Sequence, residues 1–329
     1  FLAGLPVGGA RRDDAAKILA QLNDAHFTDA LEECAERINN ELEVDFTRPK
    51  PVCKIVGEFW AQTTVGDGNF RMFEFLEEQG AEVLAEPVAT WPKYMVAHAQ
   101  DLLADYKGLE FGRGLVGRLR AEAAYWKKRL PLCMTGWVLD REYNRLREAL
   151  GGTTHPLASQ YTMGRLAHPY YNRKTSGGEG HLEVGKAIYY TTRHLAHMVM
   201  SLKPFGCLPS TQSDGAQAAV TAHYPDLIFV PIETSGEGDI NAYSRAQMAL
   251  TEAKLRCKEE FNRCVAATGY PLEQIRAYCA RHRELRRPLQ QIPEQAGVIS
   301  RAAHFVQYVA RRMDQDAEWR ERPAEGMGT

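Results

Sequence analysis

Seven cysteines are spread along this 329-residue chain, and one of them stands apart. Cys207 lies in Phe205-Gly206-Cys207-Leu208-Pro209-Ser210-Thr211, a loop between an apolar, strand-like run and a helix-like run. A thiol at a strand's carboxyl end and a helix's amino end is placed to become a thiolate, because the helix dipole and free N–H groups favour the charged form. Its chemistry then turns on what the sulfur binds. In an alternating α/β chain the strand-to-helix loops gather at one edge of the sheet. Glu58, Glu233, Glu237, Asp239 and His181 fall in such loops or at helix starts and are expected to converge with Cys207. Glu233 closes a run read as a buried strand, where an unpaired charge would be costly, and Arg245 is the partner expected to answer it. Asp239 reads as a helix N-cap ahead of a catalytic acid, and His181 as a helix-start residue ahead of a ligand.

The remaining cysteines sort by pattern. Tyr243, Ala246, Leu250, Ala253, Cys257, Phe261 and Cys264 share one helical face, so Cys257 and Cys264 read as core. Cys279 continues Leu272 and Ile275, Cys34 lies on a stripe with Phe27, Leu31 and Ile38, and Cys53 begins a buried strand. Cys133 has no assignment. An odd cysteine count with no CxxC spacing argues against a disulfide framework and against a zinc finger. His155, His168, His181, His194 and His197 make no HExxH, which disfavours a zinc hydrolase built on them and Cys207. The glycine-containing stretches 176–180 and 234–238 suit turns and helix starts, or a backbone nest for phosphate. Neither matches a P-loop or GxGxxG.

The elements that must position these residues alternate. A helical segment over 12–41 ends before Arg48-Pro49-Lys50-Pro51. A strand over Val52 to Gly57, a helix opening at Asp67-Gly68-Asn69 and stopping at Gly80, and a strand over Ala81 to Glu86 make one β–α–β unit with parallel strands. From Trp91 to Leu150 the pattern is helical and charged. Trp126-Lys127-Lys128-Arg129 within it reads as a solvated face, with a basic docking surface as the alternative. Alternation resumes with a helix from His181 to Ala196, a strand over His197 to Leu202, a helix over Thr211 to His223, a strand over Asp226 to Ile232 and a long helix to Ala267. The rest is helical to Arg312 with breaks at Pro271, Pro288 and Pro293, and a polar tail follows.

Composition sets the bounds. Forty basic and 42 acidic residues give a net charge of −2, which supplies no global signal for nucleic acid or an acidic membrane. No apolar run approaches the roughly 18 residues needed to span a bilayer, and no signal segment opens the chain, so a cytoplasmic location is expected. A first residue of Phe1 points to a fragment or a processed chain. The fold class expected is α/β: two Rossmann-like parallel-sheet domains with extensive helical additions. The divisions are a helical lead (1–50), a first α/β domain with a charged helical insertion (51–150), a second carrying the Cys207 loop (151–268), and a C-terminal helical extension and tail (269–329).

Lys203-Pro204-Phe205-Gly206-Cys207-Leu208-Pro209-Ser210-Thr211-Gln212, followed by Leu227 to Pro231 and Glu233-Thr234-Ser235-Gly236-Glu237-Gly238, resembles one superfamily. Val56-Gly57-Glu58-Phe59-Trp60, Asn69 and the helix start from Gly180 to Lys186 fit the same pattern. The chain resembles the 2-hydroxyacyl-CoA dehydratase and benzoyl-CoA reductase components, closest to the acyl-CoA dehydratase activase-related proteins, over about residues 50–255. The resemblance implies paired Rossmann-like domains holding an iron–sulfur cluster, [4Fe-4S] or double cubane, and ATP-driven, low-potential electron transfer. It makes Cys207 the metal ligand, with Gly206, Ser210, Thr211, Ser235 and Gly236 around the cofactor and Glu233 and Arg245 beside it. Glu233, Arg245, Glu58 and His181 are the candidates for catalysis. An apolar wall from Phe205 and Leu208 would limit solvent. Clusters take several thiolates, so further ligands are expected from outside this chain. No phosphate loop of the activase ATPase is present, so the expected partners are an activase-type ATPase domain or subunit, a homodimer or larger complex, and an acyl-CoA substrate. The alternative is a non-redox module that binds a CoA- or nucleotide-like ligand or serves as a scaffold.

Overall fold

The computed structural model describes residues 17, 20–109, 114–175, 178–235 and 238–320. Its centre is a four-stranded, all-parallel sheet in the order β2-β1-β3-β4, with β1 Val52–Gly57, β2 Glu82–Leu84, β3 Met198–Pro204 and β4 Phe229–Thr234. Strand β1 is buried throughout and β3 is buried up to Lys203, as central parallel strands covered on both faces must be. The two blocks expected as separate domains contribute two strands each to this one sheet, joined where β1 pairs β3 from Cys53↔Met198 to Gly57↔Leu202. Two Rossmann-like sheets are not seen among the described residues.

Period-two alternation sends side chains to two helical layers. Cys53 and Ile55 of β1, Met198, Met200 and Leu202 of β3, and Val230 and Ile232 of β4 pack with Met72 and Leu76 on one side. Ala242, Ala246, Leu250 and Ala253 join them from a long helix. On the other side Val56 and Val199 meet Val184, Ala187, Ile188 and Val220. The helices concerned follow in chain order. Helix α1 is His26–Glu41, α2 Phe59–Thr63, α3 Met72–Glu78, α4 Thr90–Asp105 and α5 Leu115–Ala149. Helix α6 is Gln160–Ala167, α7 Gly180–Thr192, α8 Leu208–His223 and α9 Ile240–Thr268. Beyond it, α10 is Leu272–Arg281, α11 Arg301–Gln315 and α12 Ala317–Arg320. The carboxyl half of α9 and helices α10 and α11 bury a second cluster around Phe261, Ile275, Tyr278, Phe305, Val306 and Met313.

One local expectation is corrected, and others hold or are added to. On α1 the stripe is rotated: Phe27 and Cys34 are exposed, while Ala35 is buried with Leu31 and Ile38 half-buried beside it. The charged stretch after Trp91 is two helices, and only Ala121 of α5 is buried, so Lys127 and Lys128 lie on a solvated face. Helix α6 was not foreseen. Ser159 caps it by accepting the Thr162 N–H at 3.4 Å, and Gly185 lets α7 approach so closely that a Cβ there would sit 2.6 Å from the Met163 carbonyl oxygen. No helix among the described residues is long and apolar enough to cross a membrane.

Candidate functional site

From the central β1–β3 pair the chain winds outward in opposite senses, to β2 after β1 and to β4 after β3. The connections leave on opposite faces, through α3 and through α8, so the carboxyl ends of β1 and β3 flank the switch point at which ligands enter open parallel sheets. Gly57 ends β1 there with φ +113°, and a Cβ on it would lie 2.1 Å from the Leu202 carbonyl oxygen. Only glycine lets the chain cross β3 this closely, and the Glu58 N–H then donates to that oxygen at 2.9 Å.

Cys207 stands at this edge. The Phe205 N–H donates to the Thr234 carbonyl at 2.9 Å, Gly206 turns the chain at φ +77°, and Cys207 is the N-cap of α8 with extended backbone (φ −68°, ψ 108°). Its carbonyl accepts from the Thr211 N–H and from the Thr211 hydroxyl, each at 2.9 Å, and proline at the helix start fits the first turn. Ser210 is buried, and its carbonyl accepts from the Ser213 hydroxyl at 2.8 Å. The sulfur-bearing residue is half-buried at a helix amino end, as expected. Phe205 and Leu208, expected to wall it from solvent, are instead 74% and 76% exposed and face outward.

The other expected residues divide. Glu58 caps α2, its Oε2 accepting the Ala61 N–H at 3.0 Å. Glu233 is exposed, not buried, because β4 is the sheet's edge strand, and Arg245 is exposed as well. No ion pair joins them among the described residues, so the pairing expected of them is corrected. Asp239 occupies the N-cap position of α9 without a side-chain capping bond. Ser235 is half-buried beyond β4, while Gly236 and Glu237 lie outside the described residues. His181 is buried in the first turn of α7, whose approach packs on the Cys207 loop where Gly178 meets Pro209, and it lines a separate cavity between helices. Burial, then the neighbouring His98, Arg173 and Lys186, pull its imidazole down to about 4.

Sequence reasoning missed the charges inside the fold. Lys54 on β1 and Lys203 on β3 are fully buried, and both point into the α7–α8 layer. Lys54 Nζ lies 2.6 Å from Glu86 Oε2 and 4.7 Å from the Tyr190 ring centroid, and Lys186 approaches the same carboxylate at 3.7 Å. Burial works to raise the Glu86 carboxyl, but Lys186 and Lys54 outweigh it and hold it down at about 2. Lys203 pairs with Glu183 at 3.4 Å and with Asp214, and the Ser213 hydroxyl donates to Glu183. Burial raises the Glu183 carboxyl against the pull of Lys203.

Glu179 begins α7 beside this network. Its Oε2 accepts from Gln62 Nε2 at 2.8 Å, and the same amide donates to the Gly57 carbonyl at 3.1 Å. Its Oε1 has no hydrogen-bond partner. Burial pushes the acid up to about 7, opposed by Lys186 and Gln62 and reinforced by Glu58 and Glu86. A carboxyl that exchanges its proton near neutrality therefore sits next to the switch point, lining a small cleft with Phe59, Trp91 and Lys186. The signal for it was a Glu directly before a helix whose interior carries Glu183 and Lys186 among apolar residues.

An iron–sulfur cluster takes several thiolates that converge on one point. Cys53, Cys257, Cys264 and Cys279 are buried elsewhere, and burial raises each thiol. Cys34 and Cys133 lie exposed on α1 and α5. No group of three or more His, Cys, Asp or Glu able to hold a metal ion occurs among the described residues. Among the described residues Cys207 is therefore the one cysteine at this edge, and a cluster here would need further ligands from elsewhere. Comparison of the chain with protein-family models, curated proteins and solved structures found no match.

Proposed function

We propose that this chain is the cluster-facing part of an iron–sulfur redox component of the 2-hydroxyacyl-CoA dehydratase and benzoyl-CoA reductase type, with Cys207 as its ligand. The observation that carries the reading is the place of Cys207: half-buried, at the amino end of α8, on the carboxyl edge of a central strand beside the switch point. The first turn of α8 leaves free N–H groups and the positive end of the helix dipole beside that residue. The remaining ligands come from outside this chain, from a second α/β lobe or a second copy in a homodimer or larger complex. On this reading the four-stranded sheet is one Rossmann-like lobe of a pair. The outward Phe205 and Leu208 are then the surface that the other lobe covers, so that water is excluded only on assembly. A bound [4Fe-4S] or double-cubane cluster supplies low-potential electron transfer towards an acyl-CoA, driven by an activase-type ATPase domain or subunit in the cytoplasm. The chain's own task is to hold one sulfur at a fixed edge.

Iron and acid-labile sulfide, with the visible spectrum, test this on the anaerobically purified native assembly and on its Cys207→Ala variant. The expected result is a brown protein whose iron and sulfide are lost with the cysteine. Protein that stays metal-free after anaerobic reconstitution, or iron retained in the variant, overturns the proposal.

A further inference from the structure

Away from the Cys207 edge, side chains from α4, α5, α6 and α7 line a cavity of about 250 Å³. Among the buried residues that line it are Gln160 at 8% and His181 at 6% exposure. Both polar atoms of the Gln160 amide and Nδ1 of His181 have no hydrogen-bond partner in the protein and no contact with solvent. Buried polar groups are almost always paired, and leaving one unpaired costs free energy. Three such atoms belong to two residues that line this one cavity. The volume is several times the roughly 30 Å³ share of a single water, so one bridging water does not account for it.

The charge around the cavity says what fills it. Arg173 is answered by Asp101 at 3.3 Å. Arg129 makes no ion pair among the described residues and lies 5.5 Å from the Tyr125 ring centroid. Two guanidinium groups against one carboxylate leave a surplus positive charge beside uncharged hydrogen-bonding groups. Guanidinium forks match carboxylate and phosphate oxygens. We propose that this cavity binds a small organic anion, with a carboxylate or phosphate group against Arg129 and Arg173 and an uncharged polar group reaching Gln160 and His181. The inference is independent of any cluster at Cys207, and its test does not read iron.

Isothermal titration of the full chain with two probes, N-acetylglycine and glycerol 3-phosphate, tests the site and separates the carboxylate source from the phosphate source. One probe is expected to bind near one per chain, and to bind at least about tenfold more weakly to Arg129→Gln and to Gln160→Leu. Gln160→Leu removes two unpartnered polar atoms at nearly constant volume, so its melting temperature without probe should equal or exceed that of the wild type. A water-filled structural cavity gives the opposite pattern: neither probe binds and Gln160→Leu melts lower. That result overturns the proposal, as does probe binding unchanged in both variants.

Discussion

Two lysines on neighbouring strands of one sheet meet opposite surroundings. Lys54 on β1 shares a single carboxylate, Glu86, with Lys186, whereas Lys203 on β3 faces two carboxylates, Glu183 and Asp214. The first network is short of negative charge and the second is short of positive charge. The responses follow. Glu86 is held ionised far into acid, at about 2, while Glu183 is raised, chiefly by burial and in addition by Asp214. The networks also differ in access to water. Lys203 follows Leu202, the residue level with Gly57 at the carboxyl edge, and Asp214 is 27% exposed; Lys54 lies deeper, and its partner Glu86 is 9% exposed. A buried ion pair adds little net stability, yet breaking one from a single side is severe. The sheet's tolerance for change should therefore be lopsided.

The largest expected effect comes from Glu86→Gln, which removes the carboxylate that two buried ammonium groups share. Urea denaturation should show a loss of about 3–5 kcal/mol. The double variant Lys54→Met/Glu86→Leu should recover a good part of it, because apolar groups of similar volume replace the pair. A single variant costing less than about 1 kcal/mol would mean that water already reaches this network, and the contrast with β3 would fall.

How legible this was divides along the same line. Strands β1, β3 and β4 and the N-cap loop of Cys207 were readable, because each is a short run of β-branched and apolar residues bounded by glycine or proline. The single sheet was not. About 140 residues separate β1 from β3, and nothing in local pattern says that Cys53 will lie against Met198. The lysines were visible in Val52-Cys53-Lys54-Ile55-Val56 and Met200-Ser201-Leu202-Lys203, but their partners come from the loop after β2 and from helices α7 and α8, at distances periodicity does not measure. Glu233 misled for the complementary reason: an apolar run before it suggested burial, and edge position undid that.

Glu179 offers a way to sharpen the comparison, since Lys186 acts on it as well as on Glu86. Its folded-state acid is raised from 4.5 to about 7, so the stability it allows is complete below pH 4.5 and is lost as pH rises through 7. Glu179→Gln should leave stability at pH 4 unchanged and raise it at pH 8 by something on the order of 3 kcal/mol. Glu86 has the reverse sign: its acid is lowered from 4.5 to about 2, so its contribution is complete above pH 4.5 and is lost as pH falls towards 2. Carboxyl-carbon NMR on Glu86→Gln should find Glu179 titrating below 7, because Lys186 is released to it and a repelling carboxylate is gone. Titration unmoved in that variant would uncouple the cleft from the β1 network.

Asp214→Asn is the smallest of these effects and isolates the β3 network. The substitution removes one of two carboxylates from Lys203 while Glu183 stays in place, and the vacated position is reached by solvent. A partly exposed pair is worth little, so the cost in urea denaturation should be about 1 kcal/mol or less. The gain is in what remains: without Asp214 the repulsion that helps raise Glu183 disappears, and that carboxyl should titrate lower by NMR. A loss as large as that of Glu86→Gln would show that Glu183 alone cannot hold Lys203, making the two networks equivalent in strength despite their opposite shortages of charge.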